Sequence, residues 1–268
     1  MNLKTNIILI GTGNVATHIA ESFQATPSVK LLQAFNHRVS KQTKAFALMY
    51  QCSVVSDYTQ LNTTADMYII AVKDDAISEV VKNLIPLNLK GMIVHTSGSV
   101  DRTILHQASK QIGVYYPLQT FYENAIINWK TTPLFIEANT TAGYKKLNQL
   151  ATSVSEIVKK VNSVKRLQFH LAAVFACNFT NAMYVIAYQL IETHLSKKDT
   201  ELLFPLMQQS FNKLKTVHPL AAQTGPAKRN DKRVMKKHTA LLATDSELKK
   251  IYQLLSNLII AQQKSTTK

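Results

Sequence analysis

The chain has 268 residues, 46% of them hydrophobic and 18% charged, with seven Gly and seven Pro. That is enough chain for one large or two modest domains with a real core, and it excludes a disordered chain, a collagen-like repeat and a low-complexity linker. The formal net charge is +15, and residues 197–268 hold 14 Lys/Arg against 5 Asp/Glu, so most of the excess sits in the last quarter.

Residues 7–10 read as a strand and 15–24 as a helix, followed by a strand at 31–35 and a helix at 39–49. Residues 67–72 and 92–95 are two more strands with a helix at 76–84 between them. Further strands are expected at 113–116 and 134–136, then a helix over 143–161. Short apolar runs alternating with amphipathic stretches mean βαβ units, hence an α/β fold with a mainly parallel sheet covered on both faces. The strands stop after residue 163, which divides the chain into domains 1–163 and 164–268, the second all-α.

Residues 167–191 carry no Asp, Glu, Lys or Arg, long enough for a membrane span by length alone. Gln168, His170, Asn178, Asn181 and Gln189 are each costly in lipid, so a buried helix is the expectation. At 100° per residue His170, Val174, Cys177, Asn178, Asn181, Tyr184 and Tyr188 share one stripe, as on a central helix facing a site. The alternative is a set of core polar groups satisfied by neighbouring backbone. Helices are expected at 198–217, 232–243 and 246–263, with a basic loop at 225–231 and a frayed polar tail at the end.

The strongest chemical signal is Gly11-Thr12-Gly13-Asn14-Val15-Ala16, placed after a strand and opening a helix. Gly11 permits the tight turn and Gly13 lets a pyrophosphate approach the backbone. Ala16 replaces a third glycine and still allows close helix–strand packing. The free N–H groups and dipole of the helix N-terminus favour phosphate there, so a Rossmann dinucleotide-binding turn is expected; the alternative is a relic of the fold that no longer binds. The second strand ends Asn36-His37-Arg38, with none of the acidic residues an NAD ribose would need. Arg38, helped by Asn36, Ser40 and Lys41, suits a 2′-phosphate, so NADP is expected over NAD; the alternative for Arg38 is an exposed loop arginine.

Ala71, Val72, Lys73 and Asp75 follow one strand end and His95-Thr96-Ser97-Gly98-Ser99 another, where open α/β sheets hold ligands. The second segment suits a polar substrate head or the nicotinamide ribose, or is simply a turn with a helix cap. Tyr115 and Tyr116 stand in a similar place and read equally as core. No nucleophile elbow, zinc-protease motif or P-loop occurs, and the eight histidines show no ligand spacing, so no metal is expected. Cys52 and Cys177 lie far apart in apolar surroundings, and the 7–10 run is too short for a secretion signal. Both favour a cytoplasmic protein. No nucleic-acid-binding motif accompanies the basic residues, so no specific nucleic acid and no membrane is expected.

Taken in order, the 11–16 turn, Ile70–Ile77, 95–99, Tyr116-Pro117-Leu118-Gln119-Thr120-Phe121, 170–179 and Thr224–Asp231 resemble one family. These are the bacterial Rossmann-like proteins with a helical C-terminal domain of unknown function, described as NADP oxidoreductases of the deazaflavin-coenzyme-dependent type. More distantly the chain is similar to pyrroline-5-carboxylate reductase, ketopantoate reductase and the 6-phosphogluconate and 3-hydroxyacid dehydrogenases. The resemblance implies an all-α second domain of the 6-phosphogluconate dehydrogenase C-terminal type, an active site between the domains, a homodimer and, from the family description alone, a deazaflavin coenzyme. The hydroxyacid dehydrogenases place a Lys four residues before an Asn on their central helix. Here Asn178 is present but Val174 stands in the lysine position, and His170, one turn back, is the expected proton donor.

The expected function is therefore NADP(H)-dependent hydride transfer to or from a small, anionic carbonyl, imine or hydroxy-acid substrate. His170, Asn178 and Ser97 are the catalytic candidates. His95, Thr96, Gly98, Asn181, Lys228 and Arg229 are the substrate-binding ones, the last two equally readable as a solvated loop. The rival reading is an NADP-binding sensor that does not turn over.

Overall fold

The computed structural model describes residues 4–266. Eight strands form one sheet, in the order β3-β2-β1-β4-β5-β6-β7-β8. They are β1 (Thr5–Ile10), β2 (Val29–Phe35), β3 (Ser53–Val55), β4 (Met67–Ile70), β5 (Met92–His95), β6 (Ile112–Pro117), β7 (Leu134–Ala138) and β8 (Val158–Lys160). All neighbouring pairs run parallel except β6 and β7.

The central strands are apolar on both faces, and their alternation sorts two cores. Ile7, Leu9, Met67, Ile69, Met92 and Val94 point to one side, towards α1 (Asn14–Gln24), α2 (Lys41–Tyr50) and α4 (Thr141–Val154). Ile8, Ile10, Tyr68, Ile70 and Ile93 point to the other, against α3 (Ile77–Leu84). This is the period-two signature of a sheet covered on both faces. Register places Ile10 beside Phe35 and Ile70, and Ile70 beside His95. The turns after β1, β2, β4 and β5 therefore gather along one edge.

The helix expected over 143–161 stops at Val154. Residues 158–160 instead add β8 to the sheet beside β7, a strand too short to show a period. The 3-residue β3 escaped the sequence reading for the same reason.

After the sheet comes one 32-residue helix, α5 (Ser163–His194), with a π-helical turn at Val174–Phe179. Asn162 caps it by accepting from the Lys165 N–H at 2.9 Å. Its first turn is fixed to the sheet by Arg166, only 1% exposed. The guanidinium donates to Glu137 on β7 at 2.9 Å, to Ser163 at 3.2 Å and to the Val100 carbonyl. Glu137 also accepts from Ser163 at 2.8 Å and from Arg102 at 3.3 Å.

Beyond that anchor, α5 is not the buried helix the sequence suggested. Leu167, Leu171, Phe175, Phe179 and Val185 are all exposed, Phe175 by 62%. By length and composition α5 is long and apolar enough to cross a membrane.

The chain forms two compact units, Met1–Ala182 and Met183–Lys268, so residues 163–182 group with the sheet rather than with the later helices. The second unit contains the rest of α5, a 3₁₀ segment at Lys197–Leu203, α6 (Phe204–Lys213), the short α7 (Pro219–Ala222), α8 (Lys232–Leu241) and α9 (Ser246–Thr266). Of the polar tail read as frayed, residues 264–266 continue α9, and 267–268 lie outside the described residues.

Breaking the Arg166–Glu137 pair leaves a buried carboxylate short of its main partner, which costs about 3 kcal/mol by the behaviour of buried ion pairs. Arg166→Met is expected to lower the urea midpoint accordingly, whereas Lys250→Ala, which removes an exposed ion pair with Glu247, leaves it nearly unmoved. Equal midpoint shifts in the two variants would mean that Arg166 is not the anchor.

Candidate active site

Gly11 has φ +116°, and a Cβ there would lie 2.3 Å from the Ala71 carbonyl oxygen, so only glycine lets β1 turn here. At Gly13, by contrast, a Cβ would meet nothing within 4 Å. The N-terminus of α1 has no side-chain cap, which leaves its N–H groups free to bind an anion, and Ala16 is fully buried against the sheet. Thr12, Gly13 and Asn14 open on a groove of about 610 Å³. These residues fit a dinucleotide pyrophosphate: open space at Gly13, uncapped N–H groups and a helix dipole of the right sign.

The second-strand residues divide. The Asn36 amide donates to Thr12 Oγ1 at 2.6 Å and so braces the glycine turn, rather than standing free for a phosphate. Ser40 caps α2, accepting from the Thr43 N–H at 3.3 Å. His37, Arg38 and Lys41 are exposed. Beyond β4, Ala71 backs the Gly11 turn, Val72 is half-buried, and Lys73 and Asp75 are exposed. The neighbouring Asp74 accepts from the Ser99 hydroxyl.

Most of the 95–99 segment turns inward. His95 is fully buried and accepts from the Ser97 N–H at 3.2 Å, out of reach of any substrate. The Thr96 hydroxyl donates to the Ile70 carbonyl at 3.4 Å. Ser97 Oγ accepts from the Ser99 and Val100 N–H groups at 3.1 and 3.0 Å, so it behaves as the cap of a turn. Gly98 has a different task. A Cβ on it would lie 2.6 Å from His170 Nδ1 and 3.0 Å from the Tyr116 ring, so its bareness lets those two side chains close over the turn.

Tyr116 and His170 form the centre of the site. Tyr116 Oη lies 3.2 Å from His170 Nδ1, and the rings meet edge to face at 6.1 Å. Burial raises the Tyr116 pKa against an opposing pull from Arg166, so the phenol keeps its proton. Tyr115, its neighbour on β6, points into the core, as alternation along a strand requires.

His170 stands on the rim of a cleft of about 640 Å³ whose wall belongs entirely to the first unit. Val15 and residues 118–121 form one part of it, and Phe169, Ala173, Val174, Cys177 and Asn178 of α5 another. Phe121 stacks on His18 at 5.4 Å, and His18 Nε2 lies 2.9 Å from the Tyr122 carbonyl, which holds this loop on α1. Asn178 lies in the π turn, and Asn181 beyond it does not line the cleft. A π turn takes more residues than an α turn, so a stripe extrapolated at 100° per residue slips as it passes through. Lys228 and Arg229 are exposed in the second unit. Among the described residues no cluster of His, Cys, Asp or Glu is arranged for a metal.

Arg166 and Glu137 were missed as site-forming residues, and Tyr116 was left undecided between a ligand-side strand end and the core. The adjacent Tyr115 and Tyr116 on an apolar strand were a usable signal, since the two must face opposite ways. The Arg166–Glu137 pairing, which joins residues on two separate elements, left none.

Residues 6–95 match the model of the NADP oxidoreductase family described as coenzyme F420-dependent, and residues 132–259 match a domain of unknown function, DUF2520. A crystal structure from Bacteroides fragilis, provisionally described as an NADP oxidoreductase, is 32% identical, with 96% of this chain and 98% of that one covered and a TM-score of 0.89. A Thermotoga maritima protein is 20% identical over 98% of this chain and 100% of its own, with a TM-score of 0.70. An imine reductase from Myxococcus stipitatus, solved with NADP+, shares the fold at 12% identity, covering 98% of this chain and 94% of that one with a TM-score of 0.61. No curated protein matches the chain.

The His95 pKa is pushed down to about 4, first by burial and then by the charge of Arg166. The unfolded chain binds that proton near the ordinary 6.5, so between these values it takes up more protons than the native state, and stability falls as pH falls. Over that window the effect amounts to about 3 kcal/mol. His95→Gln is expected to flatten this part of the acid dependence in urea titrations at stepped pH. An unchanged slope would assign the effect to another group.

Proposed function

The chain belongs to the family of Rossmann-type NADP oxidoreductases that carry a DUF2520 region, and from that premise we propose that it binds NADP(H) at residues 11–16 and transfers hydride to or from a small carbonyl or imine substrate beside His170. The observation that carries the reading is an imidazole, braced by a buried phenol, on the same cleft that Val15 of the glycine-turn helix lines.

Bound NADPH supplies the hydride, and the protein has to supply binding, orientation and a proton. The α1 N-terminus and Gly13 hold the pyrophosphate, and Arg38, with Lys41 close in sequence, takes the 2′-phosphate. His170 Nδ1 is engaged by Tyr116, and Nε2 has no hydrogen-bond partner among the described residues, so Nε2 is the atom that gives or takes the proton. Exchange at Nε2 leaves the proton on Nδ1, so the Tyr116 oxygen accepts from Nδ1–H throughout and holds the ring in place. The Asn178 amide, elsewhere on the cleft wall, orients the oxygen or nitrogen being reduced. The deazaflavin coenzyme enters only through the family description.

We also place a second copy of the chain on the exposed apolar face of α5. The glutamines, asparagines and histidine along that helix suit a protein interface better than lipid. With Cys52 and Cys177 unpaired, the assembly fits a cytoplasmic setting. Light scattering on detergent-free protein is expected to give the mass of a dimer. A monomer that partitions into membranes would remove this part of the proposal.

Nicotinamide fluorescence with NADPH and NADH tests the cofactor. Arg38→Ala is expected to weaken NADPH about tenfold and leave NADH unchanged, the scale of one charge-assisted contact. Equal losses for both would take Arg38 away from the 2′-phosphate. His170→Ala is expected to lower turnover about 100-fold at unchanged NADPH affinity. Tyr116→Phe should lower it less and displace the pH profile. Tight NADPH binding without turnover on any carbonyl or imine would favour the sensor reading.

A further inference from the structure

We infer that the cleft beside His170 selects an uncharged, apolar-bodied carbonyl or imine rather than a carboxylate-bearing substrate. The inference rests on the hydride-transfer reading and names the substrate class of that site.

The wall residues decide it. The cleft is lined by Val15, Leu118, Phe121, Phe169, Val174 and several alanines of α5, and no Lys, Arg, Asp or Glu lines it. Its polar groups are neutral ones, the Tyr116 hydroxyl, the Gln119 and Asn178 amides and the Thr120 hydroxyl, together with the His170 imidazole. A carboxylate entering would give up its hydration and meet no guanidinium or ammonium in return, which makes its transfer unfavourable. The buried cation one turn before His170, Arg166, is no substitute. It does not line the cleft, its two terminal nitrogens donate to Glu137, Ser163 and the Val100 carbonyl, and its Nε is buried away from the wall.

The expected anionic substrate drew on the net charge, most of which lies in residues 197–268, and on Lys228 and Arg229, all of the second unit, rather than on any residue of this wall. An apolar body gains from the same wall, because each alkyl or aryl group buried there leaves water for a surface of methyl groups and ring faces. A single C=O or C=N group then has the imidazole and the Asn178 amide as hydrogen-bond partners.

The test uses matched pairs that share an apolar body and differ in the acid group: methyl isobutyl ketone against α-ketoisocaproate, and methylpyrroline against pyrroline carboxylate. Calorimetric titration of the full chain loaded with NADP+ reads binding independently of turnover. The uncharged member of each pair is expected to bind at least ~10-fold tighter. Val174→Lys is expected to reverse the order, while the unaltered protein decides the question if that variant does not fold. Tighter binding of the acids, or binding of neither class, overturns the inference. NADPH oxidation is followed separately with the same compounds. An uncharged member that binds but is never reduced leaves the substrate class standing and defeats the hydride-transfer reading. Reduction of the acids alone does the reverse.

Discussion

The first unit is organised around the ion pair between Arg166 and Glu137. A helix as exposed as α5 has little burial to fix its pose, so its placement on the sheet depends on its first turns. Asn162 caps the end, and Arg166 reaches under the helix to the carboxylate at the rim of β7. Desolvating both groups is expensive, and such a pair persists where the remaining lone pairs and protons are satisfied. Here Glu137 also receives Ser163 and Arg102 and Arg166 also reaches a backbone carbonyl, although Arg166 Nε and Arg102 Nη1 are buried without a partner among the described residues. One turn further on, Phe169 packs on Phe135 of β7 with ring centroids 4.8 Å apart, and His170 meets Tyr116 of β6. The anchor thus sets which part of α5 faces the cleft, and the same arginine charge helps to keep His95 neutral.

The sheet does the corresponding work from the other side. Because the turns after β1, β2, β4 and β5 end at one edge, a nucleotide on the glycine turn and a side chain standing over Gly98 share that edge without a dedicated scaffold. The two glycines that matter act oppositely. Gly11 is needed for the backbone's own path past Ala71, whereas Gly98 is needed for what stands on top of it. A methyl group at Gly98 would press directly on the His170 ring, so the same turn that Ser97 caps is also the floor of the catalytic pair.

The fold was largely legible, and the reasons are physical. Buried parallel strands such as 67–70 and 92–95 are unbroken apolar runs, and the glycine turn has only a few chemical solutions. What stayed hidden were features with no local period: the three-residue strands β3 and β8, and the pairing of Arg166 with Glu137. The burial of α5 was misjudged because an apolar helix looks the same whether the chain covers it itself or leaves it for a partner. Within the candidate site, the glycine turn, His170 and Asn178 were all picked out from sequence, and Val15 of the glycine-turn helix, His170 and Asn178 line one cleft. The 95–99 segment resisted, since hydroxyls that cap a turn and hydroxyls that bind a ligand have the same spelling. Only the directions of the Ser97 and Thr96 side chains separate the two.

The π turn lies between His170 and Asn181, so a stripe extrapolated at 100° per residue slips as it passes through. Val174, Cys177 and Asn178 line the cleft with His170, and Asn181 does not. Such turns weaken a helix, and one persists where a side chain has to be re-aimed. Here it brings an amide to the wall that carries His170, in a helix with valine where the hydroxyacid dehydrogenases have their lysine. The imidazole on that wall is braced by a neutral phenol instead of a fixed counter-charge. Tyr116 on the strand side and the apolar wall on the other hold that imidazole with no Lys, Arg, Asp or Glu lining the cleft.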